Sequence, residues 1–251
     1  MHRVLIPPSA LQGERITITD PRALHHLRRV LRVKAGEPLE CFDGGGRSVS
    51  GRIVQSAAGQ VVVEVTGRRG EPAPAGRLTL AQALIKPARF DWIVQKASEL
   101  GVERLVPLVT ARTVARLPSE RDERKALRWQ RIADAAAQQC GRSTVMRLEP
   151  PMALGTFLEK CQVLPKAGKV PGTFICTLAV EGVALREALA AASSAQSLCV
   201  LIGPEGDFTA AEVALAKCHG AIPVSLGRLT LRSETAALAV IALLQHAAGQ
   251  L

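Results

Sequence analysis

Hydrophobic and polar positions follow two different patterns along the chain, and the change occurs near residue 70. Before it, short runs rich in β-branched residues alternate with glycine-containing turns, which predicts a small β-rich domain over residues 1–70. Its predicted strands are 16–19, 39–42, 48–54 and 61–65, with one helical segment at 21–31. Residues 67–76 hold two prolines and three glycines and are typical of a linker.

After the linker, strand-like and helix-like patterns alternate. Phe90, Ile93, Ala97 and Leu100 recur on one helix face, and Gly101 stands where a helix ends. Capping boxes are predicted for Ser119 with Asp122, at the start of a helix reaching residue 140, and for Thr209 with Glu212. Strands are predicted at 78–85, 104–109, 174–179, 198–202 and 222–226, and further helices near 184–192, 210–219 and 234–247. This alternation predicts an α/β domain over residues 77–251, with a mostly parallel sheet covered on both faces.

Composition narrows the class of protein. Of the 251 residues 47% are apolar, but no run approaches the roughly 18 uninterrupted apolar residues of a membrane helix. The amino-terminal residues lack the apolar core of a secretory signal. Six cysteines occur without CxxC pairs, which favours free thiols in a reducing cytoplasm, and neither they nor the five histidines have the spacing of metal ligands. We therefore expect a cytoplasmic protein without a metal site.

Charge indicates the kind of partner. The chain has 32 basic and 22 acidic residues, a net charge of +10, and residues 1–70 alone hold 11 basic and 6 acidic residues. A positive field favours a polyanion such as RNA, although it could serve solubility alone. The five Phe, two Trp and no Tyr argue against a stacking platform for single strands, so phosphate contact and shape recognition are favoured.

Two loops in the last fifty residues carry the candidate chemistry. Residues 202–209 (IGPEGDFT) and 226–236 (LGRLTLRSETA) each follow a predicted strand and open a helix, which is where open α/β sheets bind ligands. Glycines let the backbone approach a ligand, but the first loop is neither a Walker loop nor a GxGxxG motif. The alternative for this loop is a tight turn between a strand and a helix.

In the second loop, Arg232, Glu234 and Thr235 lie at the start of an apolar run. The alternative here is a plain helix start, with Ser233 or Thr235 as the cap and Glu234 favoured by the helix dipole. No nucleophile elbow and no evident Ser/His/Asp set accompany them. These residues suit a reaction that needs positioning and a proton acceptor, such as methyl transfer from a sulfonium donor.

Four further sequence elements accompany the two loops: residues 24–32 (LHHL and RVLR), 95–102 (QKASELGV), 128–129 (RW) and 136–142 (AAQQCGR). Together with the loops, these six elements resemble in order the trefoil-knotted (SPOUT) RNA methyltransferases, and the resemblance covers nearly the whole chain. The likeness is to the bacterial family that methylates N3 of a uridine in 16S ribosomal RNA, conventionally numbered 1498. Asp207 departs from the family pattern, which has glycine there, and Leu229-Thr230 replace the commoner Arg-Ile.

The resemblance implies a PUA-like β-barrel for RNA, a knotted methyltransferase domain, S-adenosylmethionine (SAM) as cofactor, the 30S subunit's 16S RNA as substrate, and a homodimer. From their place at the start of the last predicted helix, beside the presumed donor pocket, we predict catalytic roles for two residues. Arg232 would stabilise negative charge on the uracil carbonyls, and Glu234 would orient Arg232 or accept the proton. The implied cofactor-binding residues are Leu178, Ile202, Gly203, Glu205, Gly206, Leu226, Leu229, Leu231 and Thr235. The candidate residues for RNA contact, chosen for their positive charge, are Arg29, Arg32, Lys86, Lys96 and Arg142.

Other functions remain open on the sequence alone. A sister knotted enzyme could act on another ribosomal position or on tRNA, and a catalytically silent RNA-binding assembly factor could keep the fold. A phosphate- or nucleotide-binding metabolic enzyme is disfavoured, because no phosphate-loop lysine is present. Each basic residue could be a solvated surface charge, and His25 and His26 could cap or pack within the first domain.

Overall fold

The chain divides into two compact units. The computed structural model describes residues 1–70, 77–113, 120–160, 172–178, 182–192 and 197–251. The first unit comprises Met1–Ala73 and Asp134–Val145, and the second comprises Pro74–Ala133 and Met146–Leu251. The predicted separation of an amino-terminal domain did not include Asp134–Val145, which groups with the first unit.

The first unit contains a five-stranded sheet in the order β1-β3-β4-β5-β2. Its elements are β1 (His2–Leu5), β2 (Arg15–Ile18), α1 (Pro21–His25), β3 (Pro38–Phe42), β4 (Arg47–Ser56) and β5 (Val61–Gly70). Alternate residues such as Ile16 and Ile18, or Val61 and Val63, are buried, as the period of two requires. The four predicted strands are confirmed, whereas β1, which pairs in parallel with β3, was not predicted.

The first four residues of the predicted linker, residues 67–70, lie in the sheet. β5 runs to Gly70 and pairs with Arg47 of β4, so residues 67–70 belong to a strand, and residues 71–76 lie outside the described part. Strand pairing overrode the turn propensity of Gly67 and Gly70.

The helical segment predicted at 21–31 has two parts. Asp20 caps α1 by accepting a hydrogen bond from the Ala23 amide at 2.8 Å, and Pro21 occupies the first helical position. A π-helical turn, His26–Val30, follows and buries Leu27. Next, Arg32 adopts a φ of 54°. The segment therefore turns sharply and leaves Arg28, Arg29 and Arg32 exposed.

The second unit alternates strands and helices, as predicted. Its elements are β6 (Arg77–Ala83), α2 (Pro87–Glu99), β7 (Arg104–Val109), α3 (Glu120–Cys140, which ends in the first unit), β8 (Arg147–Leu148), β9 (Met152–Ala153), α4 (Leu154–Lys160), β10 (Thr173–Cys176), β11 (Val183–Ala184), α5 (Leu185–Ala191), β12 (Ser197–Ile202), α6 (Ala210–Cys218), β13 (Ile222–Ser225) and α7 (Ser233–Ala247). The short strands β8, β9 and β11 and the helix α4 were not predicted. Ser119, the predicted cap of α3, lies outside the described residues.

All strand pairs of this unit are parallel, in the order β11-β13-β10-β12-β6-β7-β8, with β9 beside β7. Neighbouring strand residues point to opposite faces. Phe174 and Val200 pack with α2, α3, α5 and α7, whereas Ile175 and Leu201 pack with α4 and α6. The sheet is thus covered on both faces, and each fully buried large apolar side chain contributes about 1.5–3 kcal/mol.

No helix in the described ranges is long and apolar enough to cross a membrane.

Candidate functional site

Three loops line one cavity of about 240 Å³ at the carboxyl edge of the second unit's sheet. They follow β10, β12 and β13, which are neighbours in the order β13-β10-β12. Parallel neighbours end at the same edge, so loops that are distant in sequence converge there. The lining residues are 176–178, 202–205, 207, 224, 226, 227, 229–233 and 236.

The cavity has a largely apolar wall with an open mouth. Ile202 and Val224 are buried at its base. Leu178 and Leu229, which also line it, are 63% and 78% exposed. A flat ligand with an apolar face would remove these leucine side chains from water, which is how small-molecule pockets gain affinity.

The close packing at Gly203 explains the glycine there. A Cβ at residue 203 would lie 3.2 Å from both the Phe208 amide nitrogen and its ring, closer than ordinary van der Waals contact. Phe208 itself is fully buried and anchors the loop in the apolar layer under α4 and α6. The loop is therefore both a tight strand-to-helix turn and a wall of the cavity. The two interpretations of its sequence, a ligand-binding loop and a tight turn, are compatible.

Asp207 ties two of the three loops together. Its φ is 60°, a left-handed conformation that aspartate tolerates better than most residues. Its Oδ2 accepts hydrogen bonds from the Thr177 hydroxyl at 2.9 Å and from the Leu178 amide at 2.8 Å. The departure from glycine thus keeps the turn and adds a fastening for the loop after β10.

Ser233, which is buried, fastens the loop after β13 to the loop after β12. Its Oγ donates to the Gly203 carbonyl at 2.6 Å and accepts from Gln82 Nε2 at 3.0 Å. Gln82 is fully buried in β6. The helix cap is Arg232, without a side-chain capping bond, so the alternative in which Ser233 or Thr235 caps α7 is wrong.

A charged cluster joins the two carboxyl-terminal loops to α2. Arg89 Nη1 lies 3.7 Å from Glu205 Oε1, and Arg89 Nε lies 3.5 Å from Glu234 Oε1. The other Glu234 oxygen, Oε2, is buried and has no hydrogen-bond partner among the described residues. A buried acceptor of this kind is costly unless a ligand or a proton satisfies it.

Most of the predicted cofactor residues meet at this cavity. Those that line it are Leu178, Ile202, Gly203, Glu205, Leu226, Leu229 and Leu231. Gly206 and Thr235 do not line it: the Gly206 carbonyl accepts from Arg112, and Thr235 is exposed in the first turn of α7. Of the predicted catalytic pair, Arg232 lines the cavity, and Glu234 contacts Arg89.

The predicted RNA-binding residues are distributed over both units. Arg29 and Arg32 are exposed in the first unit, where Arg142 also lies and donates to the Thr144 hydroxyl at 3.0 Å. Lys86 is exposed at the start of α2, and Lys96 pairs with Glu99 at 2.8 Å near its end. The structure leaves their role in RNA binding as a prediction.

Three side chains of the site had no recognised role in the sequence. Arg89 is more than 100 residues from both of its carboxylate partners in the sequence, so no short motif identifies it as part of the site. Gln82 carried a weak signal, since it follows Leu78 and Leu80 on the same face of a strand and is the polar member of that face. Ser233 was read only as a cap.

The cavity is suited to binding and positioning rather than to covalent catalysis. Burial raises the pKa of the Cys176 thiol to about 12, with a further contribution from the nearby Asp207 carboxylate. The thiol that lines the cavity therefore stays protonated and is a poor nucleophile near neutral pH. Glu205 and Asp207 supply negative charge and Arg232 positive charge, so a ligand with groups of both signs fits.

Family models match both parts of the chain. The model described as an RNA methyltransferase domain matches residues 71–245, and one described as an RNA methyltransferase PUA domain matches residues 18–66.

Named relatives and solved structures agree with these matches. A ribosomal RNA small subunit methyltransferase E from Synechocystis is 32% identical over 96% of this chain and 76% of its own. The protein of the same name from Bacillus subtilis is 27% identical over 96% and 90%. Two solved structures have TM-scores of 0.85 and cover 98% of this chain, with 97% of their own chains matched. They are a Legionella pneumophila protein in complex with SAM, 30% identical, and the Neisseria gonorrhoeae methyltransferase E bound to SAM, 27% identical.

Proposed function

This chain belongs to the RNA methyltransferase family that contains the small-subunit ribosomal RNA methyltransferases E, and on that premise we propose that it transfers a methyl group from SAM to N3 of a uridine in 16S ribosomal RNA, conventionally numbered 1498. Family membership confirms the predicted fold class, a knotted α/β methyltransferase domain preceded by a PUA-like barrel. The observation that carries the proposal is the three-loop cavity with Arg232 on its wall.

The residues of the cavity fit SAM. Its adenine ring suits the apolar wall formed by Ile202 and Leu226, and Leu178 and Leu229 would cover it. The Glu205 and Asp207 carboxylates favour its positive sulfonium and ammonium groups, and Arg232 favours its carboxylate or the anionic substrate. When bound, SAM supplies a methyl group activated by its positively charged sulfur.

The protein's own groups would prepare the uracil ring. N3 of uracil carries a proton and takes part in base pairing, so the base must be unpaired and N3 must lose its proton. Glu234 has a buried carboxylate oxygen without a hydrogen-bond partner in the described part of the chain, which supports a role as the proton acceptor. Arg232 would then stabilise the negative charge that develops on the uracil carbonyls.

The contact of Arg89 with Glu234 bears on the two roles predicted for Glu234. The sequence left open whether Glu234 orients Arg232 or accepts the proton. Because Glu234 Oε1 pairs with Arg89, the structure favours the second role, with Arg89 holding the carboxylate in place. Arg89 is thus a positioning residue for the carboxylate in this proposal.

The substrate, the assembly state and the location of the protein follow from the same proposal. The net charge of +10 and the exposed arginines of the first unit support 16S RNA as the substrate, presented by the 30S subunit. The family resemblance supports a homodimer with the site completed by the second copy. Ribosome assembly would place the protein in the cytoplasm.

Substitution of Arg232 tests the catalytic assignment. Arg232→Ala should retain SAM binding by calorimetry and lose most of the methyl transfer, on the order of 100-fold, because a charge-stabilising donor is removed. Arg228→Ala is the matched control, since Arg228 is exposed in the same loop and does not line the cavity. Normal turnover by Arg232→Ala would refute its role.

Mass-spectrometric mapping tests the substrate. 16S RNA from cells that lack the gene should lose one N3-methyluridine, and the purified protein with SAM should restore it. Methylation at another ribosomal position or in tRNA would favour the sister-enzyme alternative. A folded protein that shows no heat of binding with SAM or its thioether product would be a silent RNA-binding protein.

A further inference from the structure

A second cavity, of about 760 Å³, lies between the amino-terminal end of α2 and the part of α3 that belongs to the second unit. It is separate from the three-loop cavity in all but one lining residue, Glu205. Its lining residues are Leu84, Ile85, Lys86, Pro87, Arg89, Phe90, Lys125, Arg128, Trp129 and Glu205. We call it the α2–α3 cavity.

The floor of the α2–α3 cavity is apolar and rigid. Phe90 and Trp129 are almost fully buried, and their ring centroids are 4.5 Å apart. The Trp129 indole donates to Asp91 Oδ1 at 3.1 Å, which fixes the orientation of the ring. Leu84 and Ile85 complete this surface. A flat heterocycle would find there an apolar contact surface that does not need to rearrange.

The rim of the α2–α3 cavity is basic. Among the lining residues that the structure describes, Lys86, Arg89, Lys125 and Arg128 contribute four cations against one carboxylate, Glu205. Arg128 also pairs with Asp91, below the rim. Side chains of Lys86, Lys125 and Arg128 are exposed, so they can reach an anion at the cavity mouth. An apolar floor with a basic rim matches a nucleotide, which joins a planar base to a phosphate.

The α2–α3 cavity lies next to the three-loop cavity. Glu205 lines both cavities, and Arg89 on the rim pairs with Glu205 and with Glu234. A strand of RNA that places one base at the methyl donor would therefore pass the α2–α3 cavity with its neighbouring nucleotide.

We propose that the α2–α3 cavity binds one nucleotide of the RNA substrate adjacent to the methylated base, with its base against the surface that Leu84, Ile85 and Trp129 leave accessible and its phosphate on Lys86, Lys125 and Arg128. The inference rests on the proposed function for the identity of the substrate. The cavity selects the nucleotide beside the target and positions the target base.

Charge reversal at the rim tests the proposal. Lys86→Glu with Lys125→Glu should leave SAM affinity unchanged and raise the KM for RNA at least tenfold. The slope of log affinity against log salt should fall by about one for each phosphate contact removed. The matched control is Lys160→Glu with Lys217→Glu, which makes the same change in net charge on exposed lysines of α4 and α6, on the other face of the sheet. Equal losses in both double variants would overturn the proposal.

Tryptophan fluorescence gives a readout that does not depend on activity. The chain has two tryptophans, so Trp92→Phe leaves Trp129 as the reporter of the cavity floor. A short uridine-containing RNA oligonucleotide should quench it, and inorganic phosphate at the same concentration should not. No quenching at RNA concentrations that saturate binding would overturn the proposal.

Further outcomes separate this inference from its premise. If the Lys86/Lys125 variant changes the molecular mass in ultracentrifugation while its RNA affinity is unchanged, the cavity is an interface between copies and the proposal is wrong. If the wild-type protein fails to methylate RNA or to bind SAM, but RNA quenches Trp129, the proposed function fails and the nucleotide site stands.

Discussion

At the scale of single residues, Asp207 shows how one side chain can replace a glycine and add a function. A left-handed φ of 60° normally favours glycine, and the family resemblance left the geometry of this loop open. The carboxylate bonds to Thr177 and Leu178 offset the strain by holding the loop after β10. Leu178 in turn forms part of the cavity wall. Asp207 therefore orders the donor cavity before a ligand arrives, which lowers the entropic cost of binding.

Substitution of Asp207 should weaken donor binding. Asp207→Ala removes both hydrogen bonds and leaves a residue that tolerates the left-handed conformation poorly, so we expect the Kd for SAM to rise by roughly tenfold, about 1.4 kcal/mol. Asp207→Asn keeps one acceptor and the tolerated φ, so its effect should be smaller. Calorimetric titration measures both.

A double-mutant cycle controls for changes unrelated to the loop. Thr177→Val removes one of the two bonds to Asp207, so the effects of Thr177→Val and Asp207→Ala should be less than additive. Additive effects, or a SAM affinity that is the same in Asp207→Ala and the wild type, would show that Asp207 does not organise the cavity.

Predicted cofactor residues that carry a local signal lie together in the structure, and their binding of SAM stays a prediction. The glycine, leucine and isoleucine positions of the two late loops were placed at one site, and seven of the nine predicted cofactor residues line the cavity. Gly206 and Thr235 fall just outside, because the geometry of the loop and of the first turn of α7 decides which residues face the cavity, and the sequence does not specify that geometry. Arg89 could not have been found, since its pairing with Glu205 and Glu234 depends on the tertiary packing of α2.

At the scale of elements, strand order decides what the loops can do together. Two loops, after β12 and β13, were predicted to share a site from their position after strands. The loop after β10 lies between them because β10 is inserted between β13 and β12 in the sheet. The order of the strands along the chain does not specify this insertion. Leu178, in the loop after β10, was therefore predicted only from the family resemblance. The helices α2, α6 and α7 were predicted correctly because each carries a local signal. These signals are the apolar periodicity of α2, the capping box of Thr209 and Glu212 before α6, and the apolar run of α7.

The buried Ser233 should be essential for the connection between α7 and β12. Ser233→Ala leaves the Gly203 carbonyl and the Gln82 amide without this partner in a buried place, which should lower the free energy of unfolding by about 1–3 kcal/mol. It should also weaken SAM binding, because the Gly203 carbonyl is no longer held. Urea unfolding and calorimetry measure the two effects.

Ser197→Ala is the matched control for Ser233→Ala. Ser197 begins β12 on the exposed side, so the same chemical change should alter the free energy of unfolding by less than about 0.5 kcal/mol. Equal stability of the two variants would show that the Gln82–Ser233–Gly203 hydrogen bonds contribute little.

At the scale of the whole molecule, composition and pattern predicted two domains with more positive charge density in the first. The structure adds an interleaving that no local pattern indicates, since Asp134–Val145 groups with the first unit although α3 begins in the second. The knot was likewise beyond any argument from composition, because it depends on the path of the whole backbone, and only the family resemblance implied it.

Each unit contains a buried thiol that makes its stability depend on pH. Burial raises the pKa of Cys41 in the first unit and of Cys176 in the second to about 12, from an ordinary value of 9.0. A raised pKa means that the unfolded chain loses the thiol proton first. Each protonated thiol therefore makes its full contribution to the free energy of unfolding below pH 9. That contribution is lost as the pH rises toward 12, by about 1.4 kcal/mol per pH unit for each thiol.

Alanine at each thiol should remove this alkaline loss from one unit. Both tryptophans, Trp92 and Trp129, belong to the second unit, so fluorescence reports its unfolding and far-ultraviolet circular dichroism reports both units. In urea titrations between pH 8 and 10.5 under reducing conditions, Cys176→Ala should flatten the decline seen by fluorescence, and Cys41→Ala the decline seen by circular dichroism. Cys218→Ala, at an exposed thiol, controls for the loss of a cysteine. A fluorescence decline in Cys176→Ala as steep as in the wild type would show that the buried thiol does not set the alkaline limit of the methyltransferase domain.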